Sequence, residues 1–483
     1  MNAEQRRRVL ESAKYLRQVR PLDPDEIREY VEGRPHAAAV RQVLRERAFD
    51  LGVIEREDGT FVPVDEGPLS PDFTGVEAFP ERYARRLADL LVDRFGSDWH
   101  RGDAGAGLRG RIRRLKEDYY RGDPVEYDEA AALGYAVYHL PDYYAAVQYV
   151  LDELGRQGLL PRRLRVLDVG AGVGGPMLGL HDYLPDDALV AYHAVEPAAG
   201  ADVLEAMLAE TGRNFRATIH RERAETFDPA GPLGAGDGPD DGTSTGDDAD
   251  PAYDLLLFAN VLSELEDPVA VVDRYLDHLA ADGAAVAIAP ADLETSTGLR
   301  SVERALDDRC TVFSPTLRLW PGESPSDRGW SFAVRPDVAV PPFQRKLDDG
   351  SGEFVNVDVQ YSHAVLRLDG QRRLDVRADP DRHAKMAEMG DHVGNRIDLL
   401  AVKLSHDLAE GDGNSVFKVS DGSESRGHFA VLARKTALNA AMRRAEYGDV
   451  LAVEGALALY NDDEGAYNLV VDDETVVDRV AAP

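Results

Sequence analysis

The stretch RVLDVGAGVGG, residues Arg165–Gly175, decides the fold. Val166, Leu167 and Val169 form an apolar run that predicts a buried strand. Gly170, Gly172 and Gly174 follow, then a helical pattern through Met177, Leu178 and Leu180. A strand, a glycine-rich turn and a helix make a nucleotide cradle. Glycine lets the backbone turn tightly and come close to a ligand. The helix start then points its free N–H groups at that ligand. The spacing Gly170-x-Gly172-x-x-Gly175 also fits a dinucleotide fingerprint, so the glycines alone leave the ligand open.

Asp168 tips the balance. An acidic residue two places before the first glycine resembles motif I of class I methyltransferases, which bind S-adenosylmethionine. A carboxylate there tolerates a cationic sulfonium and sits poorly beside a pyrophosphate. The next apolar run, Ala188–Val195, ends in Glu196. An acid at the end of the second strand accepts hydrogen bonds from ribose hydroxyls in either cofactor class, so it supports a nucleoside without choosing between them. The resemblance implies that Asp168, Gly170, Gly172, Gly174, Glu196, Glu225 and Asn260 hold S-adenosylmethionine. Glu225 enters through Arg223-Ala224-Glu225, where related enzymes contact adenine. Asn260 ends the fourth predicted strand, Tyr253–Asn260.

Outward from the cradle, strands and helices alternate. Phe215–His220, Tyr253–Asn260 and Ala284–Ala289 predict strands, with helices at Ala201–Thr211 and Val269–Leu279 between them. Trp330–Val334 and Asp358–Leu366 can supply the last two strands. The alternation predicts a parallel sheet with helices on both faces. This α/β core, of the class I methyltransferase or Rossmann-like kind, is placed at residues 161–370. Residues 229–251 are rich in Gly, Asp, Ser and Thr and read as a disordered acidic insertion.

Three further segments flank the core. Residues 1–66 show three helices and a hairpin, the order of a winged helix, with Asp23 capping the second helix and Pro24 in its first turn. Arg41 and Arg45 on the third helix either meet phosphates or are ordinary solvated arginines on a packing module. Residues 80–160 are mostly helical, and Pro141 breaks or kinks the helix of Ala130–Leu154. Arg111, Arg113, Arg114 and Lys116, in the run LRGRIRRLK, form the densest basic cluster, either a solvated helix face or an RNA phosphate contact. Residues 391–483 read as three strands, a helix and two strands, resembling an OB-fold barrel. Phe417, Phe429, Tyr460 and Tyr467 are there to stack RNA bases or to fill the core.

The chain has 483 residues, a formal charge of −33 and few lysines. Acid spread over the whole length looks like the cytoplasmic protein of an extreme halophile. In molar salt the Debye length is only about 3 Å, so this charge does not exclude an RNA partner. The single cysteine, Cys310, rules out an internal disulfide framework and reads as a small buried residue. No secretory signal and no membrane-spanning run are expected, and no metal site is read from the 12 histidines. No catalytic group is assignable. Asn260-Val261-Leu262-Ser263 stands where an amine methyltransferase often carries Asn/Asp-Pro-Pro-aromatic. Glu264 is either a base facing the cofactor or a solvated helix residue.

GYAVYHLPDYYAAV (134–147), the cradle, YDLLLFANVLSEL (253–265) and CTVFSPTLRLWPGE…WSFAVRP…PPFQRKL (310–347) together resemble the methyltransferase-like family of ribosomal small-subunit assembly factors. The resemblance covers roughly residues 130–370. It implies S-adenosylmethionine as cofactor and the small ribosomal subunit or its RNA as partner, with the chain acting as an enzyme or as a non-catalytic factor. A small-molecule methyltransferase is the further alternative. Many members of that family hold an iron–sulfur cluster near FSPTLRLW and WSF. Here Ser314, Thr316 and Ser331 stand in that region, so no cluster is expected.

Overall fold

The computed structural model describes residues 1–121, 128–234, 252–322, 330–409, 411 and 413–480. The chain is a mixed α/β protein whose contacts fall into two units. The first is Met1–Leu257 with His278–Gly283 and Val340–Val355; the second is Phe258–Asp277 with Ala284–Ala339 and Asn356–Pro483.

The first unit opens with helices Ala3–Leu16, Pro24–Ile27 and Ala37–Glu46. Asn2 and Asp23 cap the first two, accepting the N–H groups of Gln5 and Asp25 and satisfying donors that a helix start leaves open. Strands β1 (Val53–Glu55) and β2 (Phe61–Pro63) follow as an antiparallel pair. Val9, Ala13, Val40 and Leu44 share one apolar core with Phe61 of β2.

The glycine-rich stretch grows from β3 (Arg163–Val169), next to β4 (Leu189–Val195), β5 (Phe215–His220) and β6 (Tyr253–Ala259). The order is β5-β4-β3-β6, and each pair is parallel. The chain lays β4 and β5 on one side of β3 and then returns to place β6 on the other. The strand order therefore reverses at β3, the position where open α/β sheets leave a crevice at the carboxyl ends of their strands.

Helix Glu129–Gly155 runs through Pro141 without ending, so of the expected break or kink the break does not occur. Proline lacks the N–H that would bond the carbonyl four residues earlier. Here the side chain of Gln344 takes over. Its amide nitrogen donates to the freed Val137 carbonyl at 3.0 Å and to Tyr138 O at 3.1 Å, and Gln344 is fully buried. Gln344→Met keeps the volume but leaves a buried carbonyl unsatisfied. The expected cost is about 1–3 kcal/mol, read as a lower denaturant midpoint with unchanged slope. An unchanged midpoint would show that water replaces the amide.

The same helix packs tightly on helix Gly175–Tyr183. A Cβ on Gly179 would lie 2.3 Å from Val147 Cγ1 and 2.4 Å from Tyr144 O, and one on Gly175 would lie 2.8 Å from Tyr143 Cβ. Only glycine permits that approach.

In the second unit, β7 (Leu279–Pro290, from Ala284 on) neighbours β10 (Val359–Arg367), which also pairs with β8 (Thr311–Ser314) and β9 (Ala333–Arg335). All three pairings are antiparallel, which corrects the expectation of a wholly parallel sheet. Strand Thr311–Ser314 was not expected, because a four-residue run before a proline shows too little alternation. The expected Trp330–Val334 strand is shorter and shifted, to Ala333–Arg335.

The C-terminal region of this unit carries β11 (Arg396–Lys403), β12 (Ser415–Ser420), β13 (His428–Leu432), β14 (Val450–Asn461), β15 (Ala466–Val471) and β16 (Val476–Arg479). The order β11-β12-β13-β15-β14 closes because β14 also pairs with β11. β13 and β15 are parallel and the other pairings antiparallel. A closed five-stranded barrel with this order, and helix Ala440–Arg444 between β13 and β14, is compatible with an OB-like domain. Leu399, Ala401, Val419, Leu432, Leu451 and Leu469 are among the residues that fill it. β16 is an added edge strand on β14, absent from the sequence expectation.

Of the expected insertion, Ala230–Gly234 is a short helix, and residues 235–251 lie outside the described residues.

Candidate functional site

The turn after β3 requires its glycines. Gly170, Gly172 and Gly174 have φ of +71°, +54° and +90°, the left-handed region that side chains disfavour. The turn is tied to the end of β4. Gly170 N and Ala171 N both donate to Val195 O, at 2.9 and 3.1 Å. Gly172 N donates to Glu196 Oε2 and Ala198 N to Glu196 Oε1, each at 2.9 Å. The Glu196 carboxylate thus bridges the turn and its own strand end. Each of its oxygens keeps a lone pair for another donor. Burial raises its pKa, against the pull of those two N–H groups.

Asp168 lies beneath the turn, wholly buried. Tyr192 on β4 donates its hydroxyl to Asp168 Oδ2. The other oxygen, Oδ1, has no hydrogen-bond partner among the described residues. Desolvation pushes the carboxyl up to about 7; the Tyr192 hydrogen bond opposes this and the nearby Glu196 charge adds to it. A buried acid with one unused oxygen is a group prepared for a donor or a cation. Among the described residues beyond its chain neighbours, the atom nearest to a Cβ on Gly172 would be Gly170 O, at 4.0 Å. An open approach at Gly172, an accepting Glu196 and an unpartnered Asp168 oxygen fit a ligand with a nucleoside and a positive charge.

Glu225 stands in the turn after β5, with Oε2 3.5 Å from Arg223 Nε. Asn260 belongs to the second unit. It follows β6 directly at φ +59°, its N–H donates to Ile288 O at 2.8 Å, and its side-chain amide atoms are buried without hydrogen-bond partners among the described residues. Asparagine tolerates this backbone better than most residues, and such conformations gather at functional sites.

Most of the basic cluster is engaged inside the first unit. Arg113 forms a two-armed pair with Glu353 at 2.6 Å and lies over the Phe354 ring. Lys116 donates to Glu353 O at 3.3 Å, its nitrogen 3.7 Å from the centre of the Tyr138 ring. Arg111 pairs with Asp128 at 3.2 Å, whereas Arg114 is exposed. Of the N-terminal arginines, Arg45 clamps the buried Glu55 with both Nε and Nη2, and Arg41 lies 3.8 Å from the same carboxylate.

In the barrel, Phe417 is only 3% exposed and belongs to the core. Phe429, Tyr460 and Tyr467 are half-buried. Tyr467 stacks on His428 and meets Tyr460, whose hydroxyl accepts from Arg426 at 2.9 Å. Cys310 is buried, its thiol pushed up to about 11 by desolvation. Among the described residues, no three or more His, Cys, Asp or Glu side chains group to hold a metal ion, and no helix is long and apolar enough to cross a membrane.

Two residues that matter here escaped the sequence reading. Tyr192 lies in an apolar strand, where a buried tyrosine hydroxyl needs a partner. Gln344 is a lone amide in an apolar stretch, and Pro141 is the signal that a donor must come from elsewhere.

Two family models match the chain. One is described as "Domain of unknown function (DUF8157) N-terminal domain" and matches residues 6–57; the other, "Domain of unknown function (DUF8157) C-terminal domain", matches residues 387–480. No curated protein matches. Among solved structures, the chain is similar to the plantazolicin methyltransferase BpumL in complex with SAH, at 10% identity and a TM-score of 0.28 over 59% of this chain and 99% of that one. It is also similar to the O-methyltransferase NcsB1 from neocarzinostatin biosynthesis, in complex with S-adenosylmethionine and 2-hydroxy-5-methyl naphthoic acid, at 13% identity and a TM-score of 0.28 over 76% and 97%. A SAM dependent methyltransferase from Aquifex aeolicus gives 14% identity and 0.27 over 39% and 90%. Scores this low leave the fold to rest on the chain's own strand order. The assembly-factor resemblance gains no support from these comparisons.

Proposed function

We propose that the chain binds S-adenosylmethionine in the turn after β3 and serves in methyl transfer. The observation that carries the reading is the bridge of Glu196 to Gly172 N beside the unpartnered Asp168 oxygen, at the strand where the sheet order reverses. Glu196 would accept the ribose hydroxyls, and the turn would admit the nucleoside where Gly172 leaves space. The buried Asp168 acid favours a cationic ligand over a pyrophosphate. The bound donor would supply an electrophilic methyl group. The chain's own residues orient it and close off water beneath it.

The acceptor we propose is RNA, with the small ribosomal subunit as the partner suggested by the sequence resemblance. The closed barrel supports this reading, because its half-buried Phe429 and Tyr460 offer ring faces suited to single-stranded bases. Calorimetry of the full chain in molar KCl with S-adenosylhomocysteine and with NAD tests the cofactor. Preferential NAD binding would restore the dinucleotide alternative. Mass spectrometry of rRNA from a strain lacking the gene tests the acceptor. A missing methyl group supports the enzyme, while unchanged methylation with poor subunit assembly supports a non-catalytic factor.

A further inference from the structure

The barrel carries a groove beside its helix. Residues 437–445, which include helix Ala440–Arg444, line one wall, and β16 lines the other. The space between them is about 440 Å³, within the range of ligand pockets, about 300–1,000 Å³. The lining is aliphatic where it is apolar, with Ala437, Ala440, Ala441 and Val476, and no aromatic ring is among the described lining residues. Leu438 also lines it and is 53% exposed. A leucine left open beside a cavity gains free energy when a partner covers it.

The helix-side wall is held from within. Asn439 is fully buried; its Nδ2 donates to Arg434 O at 2.9 Å and to Asp472 O at 2.8 Å, and its Oδ1 accepts from Thr436 N at 3.0 Å. Val477 N donates to Leu438 O at 2.9 Å, which ties the two walls and occupies the β16 edge at that point. A wall fixed in this way lowers the ordering cost of binding.

Charge is the second observation. The chain carries 88 Asp and Glu against 55 Lys and Arg, yet between Glu424 and Glu446 the sequence holds Arg426, Arg434, Lys435, Arg443 and Arg444 and no acid. Arg443 and Arg444 are exposed and have no ion-pair or hydrogen-bond partner among the described residues. Opposite them, Arg479 pairs with Asp449 at 2.8 Å with its side chain still 56% exposed. Asp478 is the acid of the lining, against Arg444 and Arg479. Cations at the rim of an aliphatic groove ask for carboxylates outside and aliphatic side chains inside.

We propose that this groove docks an acidic peptide segment of a partner protein, with its aliphatic side chains on Leu438 and the alanines and its carboxylates on Arg443 and Arg444. The segment is held by its side chains, because Leu438 already takes the β16 edge at Val477. A nucleic acid fits less well: its bases find no ring to stack on, and its phosphates make no use of Leu438. The donor turn belongs to the first unit, so this docking site does not depend on the methyl-donor reading.

The test uses the full chain and fluorescein-labelled peptides, followed by anisotropy. A peptide of repeating Glu and Leu is expected to bind, and one of repeating Lys and Leu is not. Arg443→Glu combined with Arg444→Glu is expected to weaken the Glu–Leu peptide by roughly tenfold and to flatten its dependence on KCl, as rim charges do. Leu438→Ser is expected to weaken it by roughly tenfold with the KCl dependence kept. All three positions are exposed, so these variants should keep the fold. Arg377→Glu, an exposed change in the same unit outside the groove, is expected to bind like the wild type. Unchanged binding in both groove variants would overturn the inference, as would equal binding of the Lys–Leu peptide or no binding of the Glu–Leu peptide at millimolar concentration. An oligouridylate that binds in place of the Glu–Leu peptide, and is lost on the double arginine change, would overturn it in favour of a nucleic-acid contact.

Discussion

Replacing Gly172 by valine is expected to abolish binding of S-adenosylhomocysteine and to leave the chain folded. Two effects act together. Gly172 has φ +54°, where an L-residue pays about 1–2 kcal/mol and a β-branched one more. The added side chain also points into space where the nearest other protein atom, Gly170 O, is 4.0 Å from the Cβ position. Among the described residues the Cβ therefore meets no severe clash. It stands where the nucleoside would approach. Any relaxation of the backbone toward negative φ would also swing Gly172 N away from Glu196 Oε2, now 2.9 Å distant. Affinity should fall by more than about a hundredfold, or about 2.7 kcal/mol, while the thermal midpoint drops only modestly. Gly172→Ala should fall between the two, because it keeps the strain and adds one carbon. Equal affinity of wild type and Gly172→Val in calorimetry would remove the turn from the site.

Much of this arrangement is legible in the sequence because it is local. The apolar run of β3, the spacing of Gly170, Gly172 and Gly174, and an acid at the end of β4 all lie within about 30 residues, the span of a single strand–helix–strand unit. Barrel strands were legible for a similar reason. His428–Leu432 alternates clearly, and Asp421-Gly422 and Glu464-Gly465 mark turns. What was not legible depends on partners distant in the chain. Pro141 signals a break or a kink, and nothing near it predicts that Gln344, some 200 residues on, donates to the carbonyl it frees. Arg113 and Lys116 read as a basic face, and their anchor is Glu353, 240 residues from Arg113. The antiparallel β10 was hidden because strand direction is set by the path of the connection, not by the strand's own residues.

Affinity for S-adenosylmethionine is expected to rise with pH through neutrality, and Asp168→Asn to flatten that rise. Desolvation holds the Asp168 carboxyl near 7 in the folded chain, against about 3.9 when unfolded. The sign follows from proton counts. Between those values the folded chain holds a proton that the unfolded chain has released, so this residue alone makes stability decline as pH rises through the window. A cationic ligand reverses the preference, because a positive charge nearby favours the ionised acid. Binding below the folded pKa must then expel a proton, and affinity falls by up to about tenfold per pH unit there. Above it the dependence levels off. Asparagine keeps an acceptor for the Tyr192 hydroxyl but cannot ionise, so Asp168→Asn should bind more weakly at high pH and show little slope. Calorimetry across neutrality, in buffers of different ionisation heat, reads both the affinity and the proton released. A wild-type affinity independent of pH, with no proton exchanged, would show that Asp168 Oδ1 does not face the charge of the ligand. The same slope in Asp168→Asn would assign the titration to another group, with Glu196, also raised by burial, the first to examine.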